Sequence, residues 1–461
     1  MNGIRMKDQD RGEISDEATS GLRDLKGTKV YLPEEQIVRE RISDTLKTHF
    51  KLYGYRPLET PILELYDIAA SKYGGGAEIL KETYRLNDQG KRDLCLRYEL
   101  TFKLGKLIGM NPNLRLPFKR YEIGRVFRDG PIKLGRLREF TQCDVDVVGV
   151  RSLVADAELI SMAFQIFPEL KLDTYIEINN RKLLFGIFEH CGMKEDRYTD
   201  AALSLDKLVK YGESTVRKEL NGKDFDKEAI EGVFEILNGT NSKKTNEEKI
   251  EFLEGRLTNQ LSKEGLSELR QILSYCKTMH VNGDLRFVPT LARGLGYYTG
   301  PMWEVFMKNS AITSSIAAGG RWDKMISQFL GTDREFPATG MTFGLDVIFA
   351  AIEEQKRVGT EMPKNARVPA VLIAPIDTLD QCIALASQLR KEKISCDIAL
   401  DKKLSKSLEF ANKENIPYVV IVGQQELKTD SVNLREMSTG KSEQVSIKSL
   451  SDKVKQNLET A

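Results

Sequence analysis

Between residues 119 and 149 the chain reads KRYEIGRVFRDGPIKLGRLREFTQCDVDVVG. Two extended runs flank GPIKLG, and Gly-Pro punctuation of this kind marks a loop between antiparallel strands. In a strand, residues two apart share a face. Phe140, Gln142, Asp144 and Asp146 therefore point one way, and Cys143, Val145 and Val147 point the other, towards a core. The alternation alone fits a half-solvated hairpin. The arginines add a second reading. Arg128, Arg136 and Arg138 flank the loop, and guanidinium forks match phosphate oxygens. Phe140 offers a ring for a base to stack on. A polyanion on one side and an amine-bearing small molecule on the other would suit this surface.

Two further stretches are unusual. In LARGLGYYTGPMWE (291–304), Arg293 precedes Gly294, Gly296 and the pair Tyr297–Tyr298. Glycine lets backbone approach a ligand closely, but a glycine-kinked strand with core aromatics fits as well. In AAGGRWDKM (317–325), paired glycines beside an arginine fit either a phosphate contact or a plain turn. No P-loop or GxGxxG pattern is present.

At 461 residues the chain can hold two or three domains. A net charge of +1 makes any nucleic-acid contact a matter of local patches. Six scattered cysteines and three histidines form no CxxC or Cys/His cluster. That pattern argues against a zinc site or a disulfide framework and for a reducing, cytoplasmic setting. No apolar run approaches the roughly 20 residues of a membrane helix. MNGIRMKDQDRGEISDEA contains acids and no apolar core, so it is no secretory signal and reads as a polar, disordered lead over 1–20.

Helical spacing marks PEEQIVRERISDTLKTHFKLYGY (33–55), with Ile37, Ile42, Leu46 and Phe50 recurring and Pro33 in the first turn. DLCLRYELTFKLGKLI reads as a strand and then a helix from about Thr101. An apparent helix starts at Asp323. From 182 to 280 the periodicity is helical throughout, as an insertion between two parts of one domain, 21–181 and 281–355. Residues 356–367 read as a linker. Residues 368–461 alternate strand and helix, which predicts a small α/β domain with a mostly parallel sheet.

KGTKVYLPEE, YGYRPLETPILE, LRYELT, GRVFRDGPIKLGRLREFTQCDVDVVG, LARGLGYYTG, AAGGRWDKM and ATGMTFGLD occur in the order and approximate spacing of the class II histidyl-tRNA synthetases. The resemblance covers nearly the whole chain. It implies an α+β catalytic domain on an antiparallel sheet, a helical insertion leaning on the tRNA acceptor arm, and a C-terminal anticodon-binding α/β domain. It also implies a homodimer joined around Pro61. The implied reaction attaches histidine to tRNA(His) through a histidyl-adenylate, consuming ATP, with Mg2+ carried by the triphosphate rather than by a protein metal site.

By motif match, Arg128 would contact the α-phosphate and the histidine carboxylate, Arg136 the outer phosphates, and Phe140 the adenine. Glu99, Thr101 and Gln142 would hold the ammonium of histidine. Asp146 and Tyr298, with Tyr297 beside it, would read the imidazole. Arg293, which also belongs to the histidine-binding set, would stabilise charge growing on the α-phosphate, where one lost contact costs about 3 kcal/mol. Lys133 and Arg138 are loop candidates for the first tRNA base pair. The resemblance also leaves open a non-catalytic paralogue that senses histidine or tRNA. Three positions depart from the family pattern. Val347, in Gly344-Leu345-Asp346-Val347, stands where an arginine usually stacks over adenine. Gly130 stands where an acid usually follows the first arginine by two, with Asp129 one place early as its substitute. Gly296 stands where an acid usually precedes the paired tyrosines.

Overall fold

The computed structural model describes residues 23–72, 77–293, 297–357, 369–400 and 403–459. The lead at 1–20, all but the first two residues of the 356–367 linker, and Gly294 and Gly296 lie outside the described residues. The chain forms two compact units, residues 1–360 and 361–461.

In chain order, the strands of the first unit are β1 (Arg56–Pro57), β2 (Leu63–Leu65), β3 (Arg85–Asn87), β4 (Asp93–Leu96), β5 (Phe118–Phe127), β6 (Glu139–Val148), β7 (Thr174–Asn180), β8 (Asp284–Phe287), β9 (Pro301–Met307), β10 (Ala317–Arg321) and β11 (Ala338–Gly344). Eight of them make one sheet in the order β1-β5-β6-β11-β10-β9-β7-β8. Its interior pairings are antiparallel, and only the outermost pairs, β1–β5 and β7–β8, are parallel. The β5–β6 hairpin is the one expected at 119–149. It sets Arg120 opposite Asp146 and Glu122 opposite Asp144.

The apolar set of β6 is wholly enclosed, with Cys143 and Val145 at 0% exposure. Helix Pro33–Leu52 packs against β6 and helix Leu345–Arg357. Its Ile42, Leu46 and Phe50 are buried at the predicted spacing. Phe50 and Phe167 both meet Phe343, at centroid distances of 5.7 and 5.8 Å. Burying one such ring fully is worth about 1.5–3 kcal/mol. The polar set of β6 is buried too. Gln142, Asp144 and Asp146 are 8, 2 and 2% exposed. The hairpin is therefore not half-solvated: its second face lines a cavity.

From Arg181 to Thr278 the described elements are helices and one 3-10 turn. Side-chain caps start four of them: Asn180, Asp226, Thr245 and Asn259 each accept from a backbone N–H of the first turn. A β-carbon on Gly265 would meet Leu183 backbone, so that glycine lets helices Arg181–His190 and Gln260–Thr278 pack closely. AAGGRWDKM is strand β10, an extended run followed by a helix at Met325–Leu330, rather than the plain turn that its paired glycines also fit. Its Arg321 is buried and pairs with Asp156 and Asp323.

The second unit contains β12 (Val371–Pro375), β13 (Cys396–Ile398), β14 (Tyr418–Val422), β15 (Ser431–Glu436) and β16 (Ser442–Ser446), ordered β13-β12-β14-β15-β16. The first three are parallel, and β15 and β16 form an antiparallel hairpin at the edge. A mostly parallel sheet was expected. SVNLRE and SEQVS carry few apolar residues because the outer strand has one exposed face. Among the described residues no helix is long and apolar enough to cross a membrane.

Candidate active site

The polar face of β6 opens into a cavity of about 520 Å³ in the first unit. Its walls include Glu99, Thr101, Arg128, Arg136, Phe140, Gln142, Asp146, Arg293, Tyr297 and Tyr298. Every residue singled out in the sequence for histidine or ATP lines it except Asp129, and the two tRNA candidates, Lys133 and Arg138, lie outside it.

One end is acidic. Glu99, Asp144, Asp146 and Glu122 are all buried, within a network that includes Arg120 and Arg97. Arg120 Nη2 is 2.9 Å from Asp146 Oδ2 and 4.0 Å from Asp144 Oδ2, and Arg97 Nη1 is 3.1 Å from Glu122 Oε1. Three of these carboxyls, Glu122, Asp144 and Asp146, face the two guanidiniums, so the network can take one more cation. Burial pushes the Glu99 carboxyl up to about 7; Arg128 opposes the shift and Asp144 adds to it. Burial likewise raises Asp146, against the pull of Arg120. Gln142 Nε2 donates to Thr342 Oγ1 at 3.3 Å, which leaves Gln142 Oε1 buried without a hydrogen bond. Thr342 in turn donates to Asp144 Oδ1 at 2.5 Å, and Thr101 to Asp144 Oδ2 at 3.4 Å. A buried acceptor beside ionisable carboxyls is what an ammonium group requires.

The two tyrosines lie with ring centroids 4.9 Å apart. A β-carbon on Gly320 would stand 2.7 Å from the Tyr298 ring, so glycine makes room for that ring on the sheet.

The other end is basic. The Arg128 guanidinium lies 4.2 Å from the Tyr98 ring centre and 5.1 Å from that of Phe140, and its Nε donates to Tyr98 O. Arg136 Nη2 is 3.7 Å from Glu82 Oε1. Arg293 pairs with Glu304, which also accepts from Ser315 Oγ at 3.1 Å. Burial works against the Arg293 charge, but Glu304 and the two tyrosines outweigh it, so its pKa lies above the ordinary value. Arg293 Nε is buried without a hydrogen bond.

Two departures from the family pattern acquire a physical context. Val347 is buried in the cavity wall against the hairpin loop. Gly135, at φ +72°, lies so close that a β-carbon there would be 2.9 Å from Val347 Cγ2. Asp129 turns the other way from Arg128. Its Oδ1 is 3.2 Å from Arg138 Nη2 and 3.4 Å from the Tyr84 hydroxyl.

A strap from the start of the described chain braces the hairpin. Gly27 O accepts from the backbone N–H of Arg138 at 2.8 Å. Tyr31 OH and Arg39 Nη1 both donate to Asp346 Oδ1, at 2.5 and 2.6 Å, while Thr141 N donates to Asp346 Oδ2 at 2.6 Å. Sequence reading did not single out Glu82, Tyr98, Arg120, Glu304 or Arg39. Arg120 had a usable signal, because it shares a strand face with Glu122 across from the acids of β6. Tyr98, beside Glu99, and Glu304, at the end of the 291–304 stretch, lie within segments already marked, whereas Glu82 and Arg39 are brought in from distant ones.

Comparison with known proteins agrees with this arrangement. The histidyl-tRNA synthetase family profile matches residues 27–348, and an anticodon-binding domain profile matches 370–457. Histidine--tRNA ligase 1 of Bacillus anthracis is 46% identical, covering 94% of this chain and 99% of its own. Histidine--tRNA ligase of Clostridium tetani is 36% identical, covering 92% and 95%. The crystal structure of histidyl-tRNA synthetase from Nostoc sp. PCC 7120 superposes with a TM-score of 0.79 at 25% identity, covering 95% of this chain and 99% of that one. With its profile match, its full-length relatives and its sheet in agreement, the chain belongs to the histidyl-tRNA synthetase family.

Proposed function

We propose that this protein ligates histidine to tRNA(His) at the expense of ATP, through a histidyl-adenylate. The observation that carries the reading is the polarity of one cavity. Buried acids and the free Gln142 oxygen occupy one end, and Arg128, Arg136 and Arg293 occupy the other. Glu99, Thr101 and Gln142 take the ammonium of histidine, and Asp146 with Tyr297 and Tyr298 takes its imidazole. Phe140 takes the adenine and Arg136 the outer phosphates of MgATP. The histidine carboxylate oxygen attacks the α-phosphorus, the bond to the bridging oxygen breaks, and pyrophosphate leaves with that electron pair. Arg128 and Arg293 meet the charge that grows on the α-phosphate, as preorganised donors in a dry site. The terminal hydroxyl of the tRNA then attacks the activated carbonyl and releases AMP.

The helical segment 182–280 serves the acceptor arm and the second unit the anticodon. The small sheet β2-β4-β3 exposes Leu63, Leu65 and Leu86 next to exposed Ile62, which supports a homodimer contact near Pro61. All six cysteines are unpaired, which supports a cytoplasmic setting. Asp129, placed on Arg138, acts in this reading by fixing the loop that carries Arg136.

A regulatory paralogue without catalysis is the less favoured reading, because the anticodon-binding unit is retained. Histidine-dependent exchange of pyrophosphate into ATP tests the proposal. No exchange at saturating ATP would overturn it. Exchange without charging of tRNA(His) would redirect it to another acceptor.

A further inference from the structure

The Arg128–Arg136 loop carries three cations, Arg128, Lys133 and Arg136, and its own Asp129 faces away from the cavity. A carboxylate nevertheless stands among them, and it comes from another segment. Glu82 follows helix Ala77–Lys81 and lines the cavity. Its backbone carbonyl accepts the N–H of Asp129 at 2.8 Å, which moors the segment to the loop. Its Oε1 is 3.7 Å from Arg136 Nη2, and its Oε2 accepts from the Tyr98 hydroxyl at 3.1 Å. The Tyr98 ring in turn lies under the Arg128 guanidinium at 4.2 Å. One carboxylate thus reaches both arginines, one directly and one through a tyrosine. Gly130 leaves the space for it. A β-carbon on Gly130 would stand 2.8 Å from Glu82 Oε1, and its backbone lies outside the left-handed region, so the carboxylate rather than the backbone excludes a side chain there.

We propose that Glu82 supplies the carboxylate of the nucleotide subsite, filling from a neighbouring segment the space above Gly130 and stationing Arg136 and Tyr98 for the triphosphate. Glu82 is a positioning residue in this arrangement. It deepens the ATP-dependent reading above and rests on it.

The geometry makes a swap possible. Removing the acid in Glu82→Ala should raise the KM for ATP about tenfold or more, the worth of one charge-assisted contact, and leave the KM for histidine within about twofold. Returning a carboxylate from the opposite side, in Glu82→Ala with Gly130→Glu, should recover most of the loss. Gly130→Glu alone should impair ATP use, because two acids then compete for one space. Glu82→Gln keeps the shape and should show the ATP defect in a protein that melts like wild type. Calorimetric binding of a non-hydrolysable ATP analogue to wild type and Glu82→Gln reads the same contrast without turnover. Equal binding by the two, or a double variant no better than Glu82→Ala, would overturn the assignment. Absent histidine-dependent exchange in wild type, alongside weaker analogue binding by Glu82→Gln, would overturn the enzyme reading and leave this one standing.

Discussion

Gly340 lies opposite Asp146 across the β11–β6 ladder, and a β-carbon on Gly340 would overlap Asp146 Oδ1. The carboxylate therefore occupies space that only glycine leaves open. Gly340→Ala should displace Asp146 from Arg120 and weaken histidine binding about tenfold or more, with an overpacking cost of about 1–3 kcal/mol. Histidine titration and thermal melting read the two effects. Unchanged histidine affinity in a folded variant would remove Asp146 from the imidazole subsite.

Arg293 is held by Glu304 at the basic end of the cavity, with its guanidinium 5.9 Å from the centre of the Tyr298 ring. Arg293→Ala should abolish pyrophosphate exchange while histidine binding stays measurable. Loss of histidine binding together with exchange would mean that Arg293 builds the pocket and does not serve the phosphate.

The Glu99 carboxyl, raised by burial from 4.5 to about 7, sets a pH dependence. The folded protein favours its neutral form. Its contribution to stability is full below the unfolded value and is lost as pH rises through the folded one. An ammonium ligand reverses the preference by pairing with the ionised form. Histidine binding at about pH 6.5 should therefore release a proton from Glu99. Calorimetry in buffers of different ionisation enthalpy measures that release, and Glu99→Gln should remove it. Equal proton release from both proteins would place the titration elsewhere.

Val347 meets Gly135 where an arginine would have to pass. Val347→Arg should lift the loop that carries Arg136 and raise the KM for ATP, although it restores the residue usual in the family. A lowered KM would show that the loop yields and that the valine is a simple loss.

The legible parts of the fold were those written locally. The apolar triplet Cys143, Val145 and Val147 announced β6, and Ile42, Leu46 and Phe50 announced the helix that packs against it. The helical segment 182–280 showed its period in each run. The hairpin β15–β16 was missed because an edge pair with one exposed face has little apolar signal. In the site, arginines and acids concentrated in one hairpin pointed to two kinds of ligand. Gln142, Asp144 and Asp146 nevertheless look like surface residues until the partners of β6 are known, because a strand's polar face can meet water or a cavity. Glu82, Arg39 and Asp346 could not be read locally at all. Each acquires meaning only from a group brought to it by the tertiary fold.

The pairing of Tyr31 with Asp346 spans 315 positions. Arg39 depends on the same distant carboxylate, and a buried charge without its partner costs about 3–5 kcal/mol. The brace behind the β5–β6 hairpin thus joins the first and last parts of the first unit. Contacts of such long range form late, after the intervening chain has collapsed. A ribosome-bound chain that has not yet exposed residue 346 holds β5 and β6 without this brace. The hairpin would then gain its brace near the end of the first unit's synthesis, when this long loop closes.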